Sequence, residues 1–130
     1  IQNISLFGGS STVEISNTIL NAGSDGINMG SLDGTIISHG YNISSDGGGG
    51  YLNGPGDILN TNPRLGPLTN NGGPTQTHAL LANSPAVDAG DPNFDPNAFA
   101  PPLLYDQRGP GFVRVFRGRV DIGAFESKHP

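Results

Sequence analysis

The stretch Asp91-Pro92-Asn93-Phe94-Asp95 sets three oxygen-bearing side chains at alternate positions, the way a calcium loop begins. The sixth position is Pro96, where a calcium hand turns on Gly, and the twelfth is Pro102, where it needs a bidentate Glu, so an EF-hand is excluded. A looser calcium site on Asp91, Asn93 and Asp95, completed by Asp88 or a backbone carbonyl, is the sharper reading. An ordinary polar loop ranks ahead of it. His39, His78 and His129 have no second His at ligand spacing, and without Cys there is neither a thiolate site nor a disulfide. His39 is read as part of an outward polar ladder, His78 as a hydrogen-bonding residue and His129 as tail.

Polysaccharide cleavage would need two carboxyl groups about 6.5–9.5 Å apart for inverting hydrolysis, or a base beside a charge-neutralising cation for elimination. In a repetitive chain such groups must recur at the repeat offset. At an offset of 22 residues Glu14 falls on Ile36, Asp25 on Gly47 and Asp33 on Pro55. Asp25 and Asp46 come nearest, but both sit in glycine loops. Residues 1–63 contain no Lys or Arg. The chain is therefore read as non-catalytic.

The formal charge is −5, so the chain lacks the basic footprint of a nucleic-acid binder. Residues 1–100 carry one base against eight acids, whereas residues 101–130 carry five bases against three acids. An acidic body with a basic end can attract copies of itself or an anionic polymer. That gives Arg114, Arg117 and Arg119 a self-contact or polysaccharide-binding reading, beside the plainer one of a solvated loop. No apolar run reaches the roughly 18 residues of a membrane span, so no membrane insertion is expected. The start, Ile1-Gln2-Asn3-Ile4, is neither an initiator Met nor a charged leader, which suggests a processed product or a fragment. Sparse Lys with abundant Asn, Gly and Thr fits an extracellular or cell-surface protein.

The elements that would position these groups are short. Twenty-one Gly and 11 Pro leave little helix-forming sequence, and Asn and Asp tolerate the left-handed backbone of turns. Ile15-Ser16-Asn17-Thr18-Ile19 aligns with Ile37-Ser38-His39-Gly40-Tyr41 at an offset of 22, and the next step brings Leu59 under Ile37. Stacked repeats run about 20–45 residues per unit. Val13 and Ile15 alternate with Glu14 and Ser16, as in a strand with one buried face. Val13, Ile15 and Ile19 are thus the expected rung interface, followed in the next rung by Ile37 and Ile43. Pro63 cannot donate to a ladder, so regular stacking should end there, with Leu65 and Leu68 still turned inward. Phe112 to Phe116 alternates apolar and basic and predicts a hairpin with Val120 to Phe125. The expected fold is all-β: the last two to three rungs of a right-handed parallel β-helix over residues 1–68 and a C-terminal cap over 69–130, in one structural domain. Arg108 with Asp121 or Glu126 would make a buried structural tie in that cap.

GGPTQTHALLANSPAVDAG at residues 72–90, Asp106-Gln107-Arg108-Gly109, Val120 to Glu126 and the rung Gly40-Tyr41-Asn42-Ile43 together resemble the C-terminal end of the choice-of-anchor Q domain family of bacterial surface and secreted proteins. The resemblance implies a right-handed parallel β-helix of the pectin-lyase-like class, with His78, Asp88, Arg108, Asp121 and Glu126 in its cap, and it implies no reaction. The chain departs from the family in lacking cysteines around the cap and an anchor after Glu126.

These readings predict a non-catalytic extracellular structural or adhesive module. The rung around Val13 and Ile15 needs a cover, either upstream rungs of a longer chain or another copy. Head-to-tail stacking of copies would build a filament. The alternative is the C-terminal part of a polysaccharide lyase or hydrolase, or of a polysaccharide-binding β-helix protein.

Overall fold

The alternation at Thr12–Ile15 does form a strand, but a short one that has a single neighbour among the described residues. A computed structural model describes residues 1–4, 9–23 and 26–128, so Asp25 and His129 lie outside the described residues. The chain divides into two compact units, Ile1–Asn62 and Pro63–Pro130. In the first unit β1 (Gln2–Ile4), β2 (Thr12–Ile15) and β3 (Ile19–Leu20) pair in parallel with β4 (Gly30–Leu32), β5 (Thr35–Ser38) and β6 (Ile43–Ser44) respectively.

The pairing corrects the expected register. Gln2 lies opposite Gly30, Thr12 opposite Thr35 and Ile19 opposite Ile43, offsets of 28, 23 and 24 residues rather than 22. Because side chains alternate between faces, a slip of one residue exchanges the two sets. Ile36, not Ile37, therefore lies beside Val13 and enters the core, at 8% exposure against 39%. Ile15, Leu20, Met29, Ile36 and Leu52 form this core, with Val13 and Tyr51 packed against it.

The expected right-handed parallel β-helix is not what the chain forms. Its strands lie in separate two-stranded sheets, none closed, and most of the chain is turn and coil. A third layer forms no strand: Ile58 bridges Ile43, and backbone bonds such as Tyr41 N to Pro55 O (2.8 Å), Ile58 N to Asn42 O (2.7 Å) and Thr61 N to Ser44 O (3.0 Å) hold it to the second. The reason lies in the turns. Asn17, Tyr41 and Asn60 take left-handed φ of 48°, 56° and 50°, so the backbone leaves the extended region after two to four residues of strand. Gly40, at φ +97°, lies so close to Pro55 that a Cβ would collide with its carbonyl oxygen.

In the second unit β7 (Leu65–Thr69) and β8 (Thr77–Leu80) pair antiparallel across an irregularity between Leu65 and Leu68. Leu68 stands 56% exposed rather than inward. In the turn between these strands Gly72 N donates to Asn70 Oδ1 at 2.9 Å, and Asn71 Nδ2 donates to the Thr77 carbonyl at 2.8 Å. Farther on, Gly90 N donates to Val120 O and Ile122 N to Ala86 O, both at 2.9 Å. These bonds tie residues 86–90 to residues 120–122, and Leu80, Ala86, Val120 and Ile122 of this unit are all buried. The expected hairpin of Phe112–Phe116 with Val120–Phe125 is absent; Phe116 meets Arg119 only in an isolated bridge. Arg114 accounts for this, since its Nη2 donates to the carbonyls of Asp121 (3.2 Å) and Gly123 (2.8 Å), which a partner strand would otherwise satisfy.

Candidate functional site

The densest concentration of charge is buried in the second unit. Asp106 and Arg108 are two residues apart around a turn closed by Gly109 N on Asp106 O. That brings Arg108 Nη2 to 2.5 Å from Asp106 Oδ2, with Nε at 3.1 and 3.0 Å from the two carboxylate oxygens. The Arg108 guanidinium lies between the rings of Phe112 (4.1 Å) and Phe125 (3.7 Å) and also donates to the Glu126 carbonyl at 2.7 Å. A planar, weakly hydrated cation suits such a slot. The expected tie of Arg108 to the Asp121 or Glu126 carboxylate is thus replaced by Asp106, a residue of the same local turn.

Glu126 instead meets Arg114 at 3.4 Å, while its oxygens accept from Phe116 N (3.0 Å) and Asp121 N (3.1 Å). Asp121 accepts from Asp88 N at 2.7 Å and Ser127 N at 2.6 Å. Burial pushes the Glu126 carboxyl up to about 7 and raises Asp121 as well, against the hydrogen bonds that favour their charged forms. Burial also lowers Arg114, opposed by Glu126, Asp106 and Asp121. Chemically this arrangement stores charge and fixes backbone. Each carboxylate in it is occupied by N–H donors from the chain itself.

The other predicted residues disperse. Asp91 Oδ1 accepts from Asn93 N and Asp95 Oδ1 from Asn97 N, both at 2.8 Å, so each caps a tight turn. Among the described residues no three His, Asp or Glu side chains gather as metal ligands. Arg114, Arg117 and Arg119 are not one surface. Arg114 is turned inward, Arg119 Nε donates to Gly90 O at 2.8 Å, and Arg117 is exposed beside the Phe116 ring. Asp88 enters the cluster through its backbone N–H, its side chain being exposed. His78 Nδ1 meets Gly66 O at 2.8 Å, and His39 Nε2 pairs with Glu14 at 2.8 Å on the surface.

The first unit holds a second polar constellation that the sequence reading passed over. Asp57 accepts from Asn42 N, Asn42 Nδ2 and Gly54 N, each at 2.9 Å, and from Ser38 Oγ at 2.6 Å. Fully buried Asn42 passes this on through its Oδ1 to Thr18 N at 3.0 Å, linking successive layers. Asp46 accepts from Asn28 N, Ser44 Oγ, Gly48 N and Asn28 Nδ2, and the first of these leads in bringing its carboxyl down to about 2. Its ordinary value is 3.8, so the stability it contributes is fully present above that and lost as pH falls through about 2. Acid titration followed by amide dispersion is expected to show the Asn28 and Gly48 amides losing their downfield shifts over this window, and an Asp46→Asn chain should lack that step.

No protein-family model matches the chain, and neither a curated protein nor a solved structure matches it. The resemblance to the choice-of-anchor Q family therefore rests on its motifs alone.

Proposed function

We propose that this chain is a non-catalytic structural or adhesive module, extracellular or at the cell surface, that associates head to tail through strand edges of its first unit. One observation carries the reading: among the described residues, the backbone groups of β2 and β5 that point away from their shared pairing have no backbone partner, and the two outward edges are unlike. Thr35 N and His39 N donate to Ser11 O and Ile15 O, so by alternation Thr12 and Glu14 direct their N–H and C=O groups away from β5. Ile36 and Ser38 in turn direct theirs away from β2. Unlike edges that complement each other make a heterologous contact, which adds copies into a filament where the rotation between them does not close a ring, and extended backbone supplies the affinity in such strand addition. The placement outside the cell is supported by composition. A polysaccharide-binding role for Arg114, Arg117 and Arg119 has less support, because Arg114 and Arg119 are engaged internally.

Light scattering over a concentration series, with negative-stain microscopy, tests the reading. Growing linear assemblies are expected. Thr12→Pro removes an N–H from the open edge and leaves the β2–β5 bonds in place, so it should abolish assembly at a cost below about 1 kcal/mol in stability. A chain that stays monomeric at every concentration would refute head-to-tail association.

A further inference from the structure

Three buried carboxylates, Asp106, Asp121 and Glu126, face two guanidiniums in the second unit, those of Arg108 and Arg114. Asp106 and Arg108 close on each other. Asp121 and Glu126 are left with Arg114, one positive charge for two negative ones, and a buried charge without a counter-charge takes up a proton instead. We propose that Arg114, Asp121 and Glu126 form a pH-sensitive latch, in which one proton taken up by the carboxylates fastens residues 121–127 to the loop of residues 112–119 and its release loosens that attachment.

The connections run through the backbone. Glu126 Oε1 holds Phe116 N, Glu126 Oε2 holds Asp121 N, and Asp121 Oδ2 holds Ser127 N. Arg114 ties the loop to the carbonyls of Asp121 and Gly123. The groups facing the pair are therefore Arg114 from the loop, Asp106 and Arg108 from the preceding turn, and Asp88, whose charge adds to the repulsion at Asp121. Lys128 lies over Phe112 at 5.5 Å. The group that takes the proton is Glu126, pushed by burial to about 7 from 4.5. The sign follows: between about 4.5 and 7 the folded unit holds a proton that the unfolded chain does not, so attachment is strongest at the acidic end and weakens as pH rises through about 7.

Carbon-detected NMR titration of the full chain reads this out. The Glu126 carboxyl is expected to titrate near 7, and the protection factors of the Phe116 and Ser127 amides should fall by about tenfold or more between pH 6 and 8.5. Asp121→Asn removes the competing negative charge, so it should lower the Glu126 midpoint by about one unit and flatten the change in protection. A wild-type midpoint within about half a unit of the ordinary glutamate value, or protection unchanged across the midpoint, would overturn the latch.

Discussion

Arg108→Ala is expected to destabilise the second unit by about 3–5 kcal/mol, the cost of leaving a buried partner charge alone. The Asp106 carboxylate is fully buried and loses its close partner, while the Glu126 carbonyl loses a donor at 2.7 Å. The slot between Phe112 and Phe125 empties at the same time, so cavity and charge terms add. Arg108→Lys should recover little, because an ammonium neither stacks flat between two rings nor grips a carboxylate with two nitrogens. Hydrogen exchange at Val120 and Ile122, both buried in this unit, reports the loss directly. A variant within about 1 kcal/mol of wild type would show that the Asp106–Arg108 pair contributes no more than a surface ion pair does.

Asp57→Ala is expected to cost the first unit about 2–4 kcal/mol, since leaving a buried donor unsatisfied costs about 1–3 kcal/mol. Both Asn42 nitrogens that Asp57 holds belong to a residue with no exposed surface. Ser38 Oγ retains Gly40 N and Asn42 Nδ2 as donors but loses its acceptor. Denaturant unfolding followed by Tyr41 and Tyr51, which lie in this unit, measures the effect. Should the midpoint stay where it is in wild type, water would be replacing the carboxylate and the layers would not depend on it.

What the sequence made legible was local. Val13 and Ile15 alternating with polar neighbours marked a strand, and the recurrence of similar segments marked parallel pairing between non-adjacent strands. The register was not legible. Ile36 and Ile37 are adjacent and identical, so hydrophobicity cannot say which one faces inward, and turns of different length set the three offsets. The extent of stacking was overread for a related reason: a single leucine or isoleucine in register, such as Leu59 or Ile58, looks the same whether it founds a strand or makes one bridge.

The cluster in the second unit was half legible. Arg108 with Asp121 or Glu126 is expected as a buried tie, and all three residues are buried in this unit, though with other partners. Asp106 was missed as the partner because acid and base two residues apart suggest neither a helical nor a strand pair, and only the turn folds them onto each other. The alternation of Arg114 with Val113 and Val115 predicts a strand with the base turned outward. Its guanidinium instead supplies the donors that a second strand would have brought.

The turns that end the strands also bear on how the chain ages. Asn53-Gly54 and Asn71-Gly72 are the sequence pairs most prone to deamidation, in which the glycine nitrogen attacks the asparagine side chain and expels ammonia. Here Gly54 N is engaged by Asp57 and Gly72 N by Asn70, and the Asn71 amide is pinned to Thr77. Attack would require these bonds to open first, so chemical lifetime is tied to local unfolding rather than to sequence. A glycine-rich chain with many side-chain amides can in this way remain covalently intact for as long as its turns stay closed.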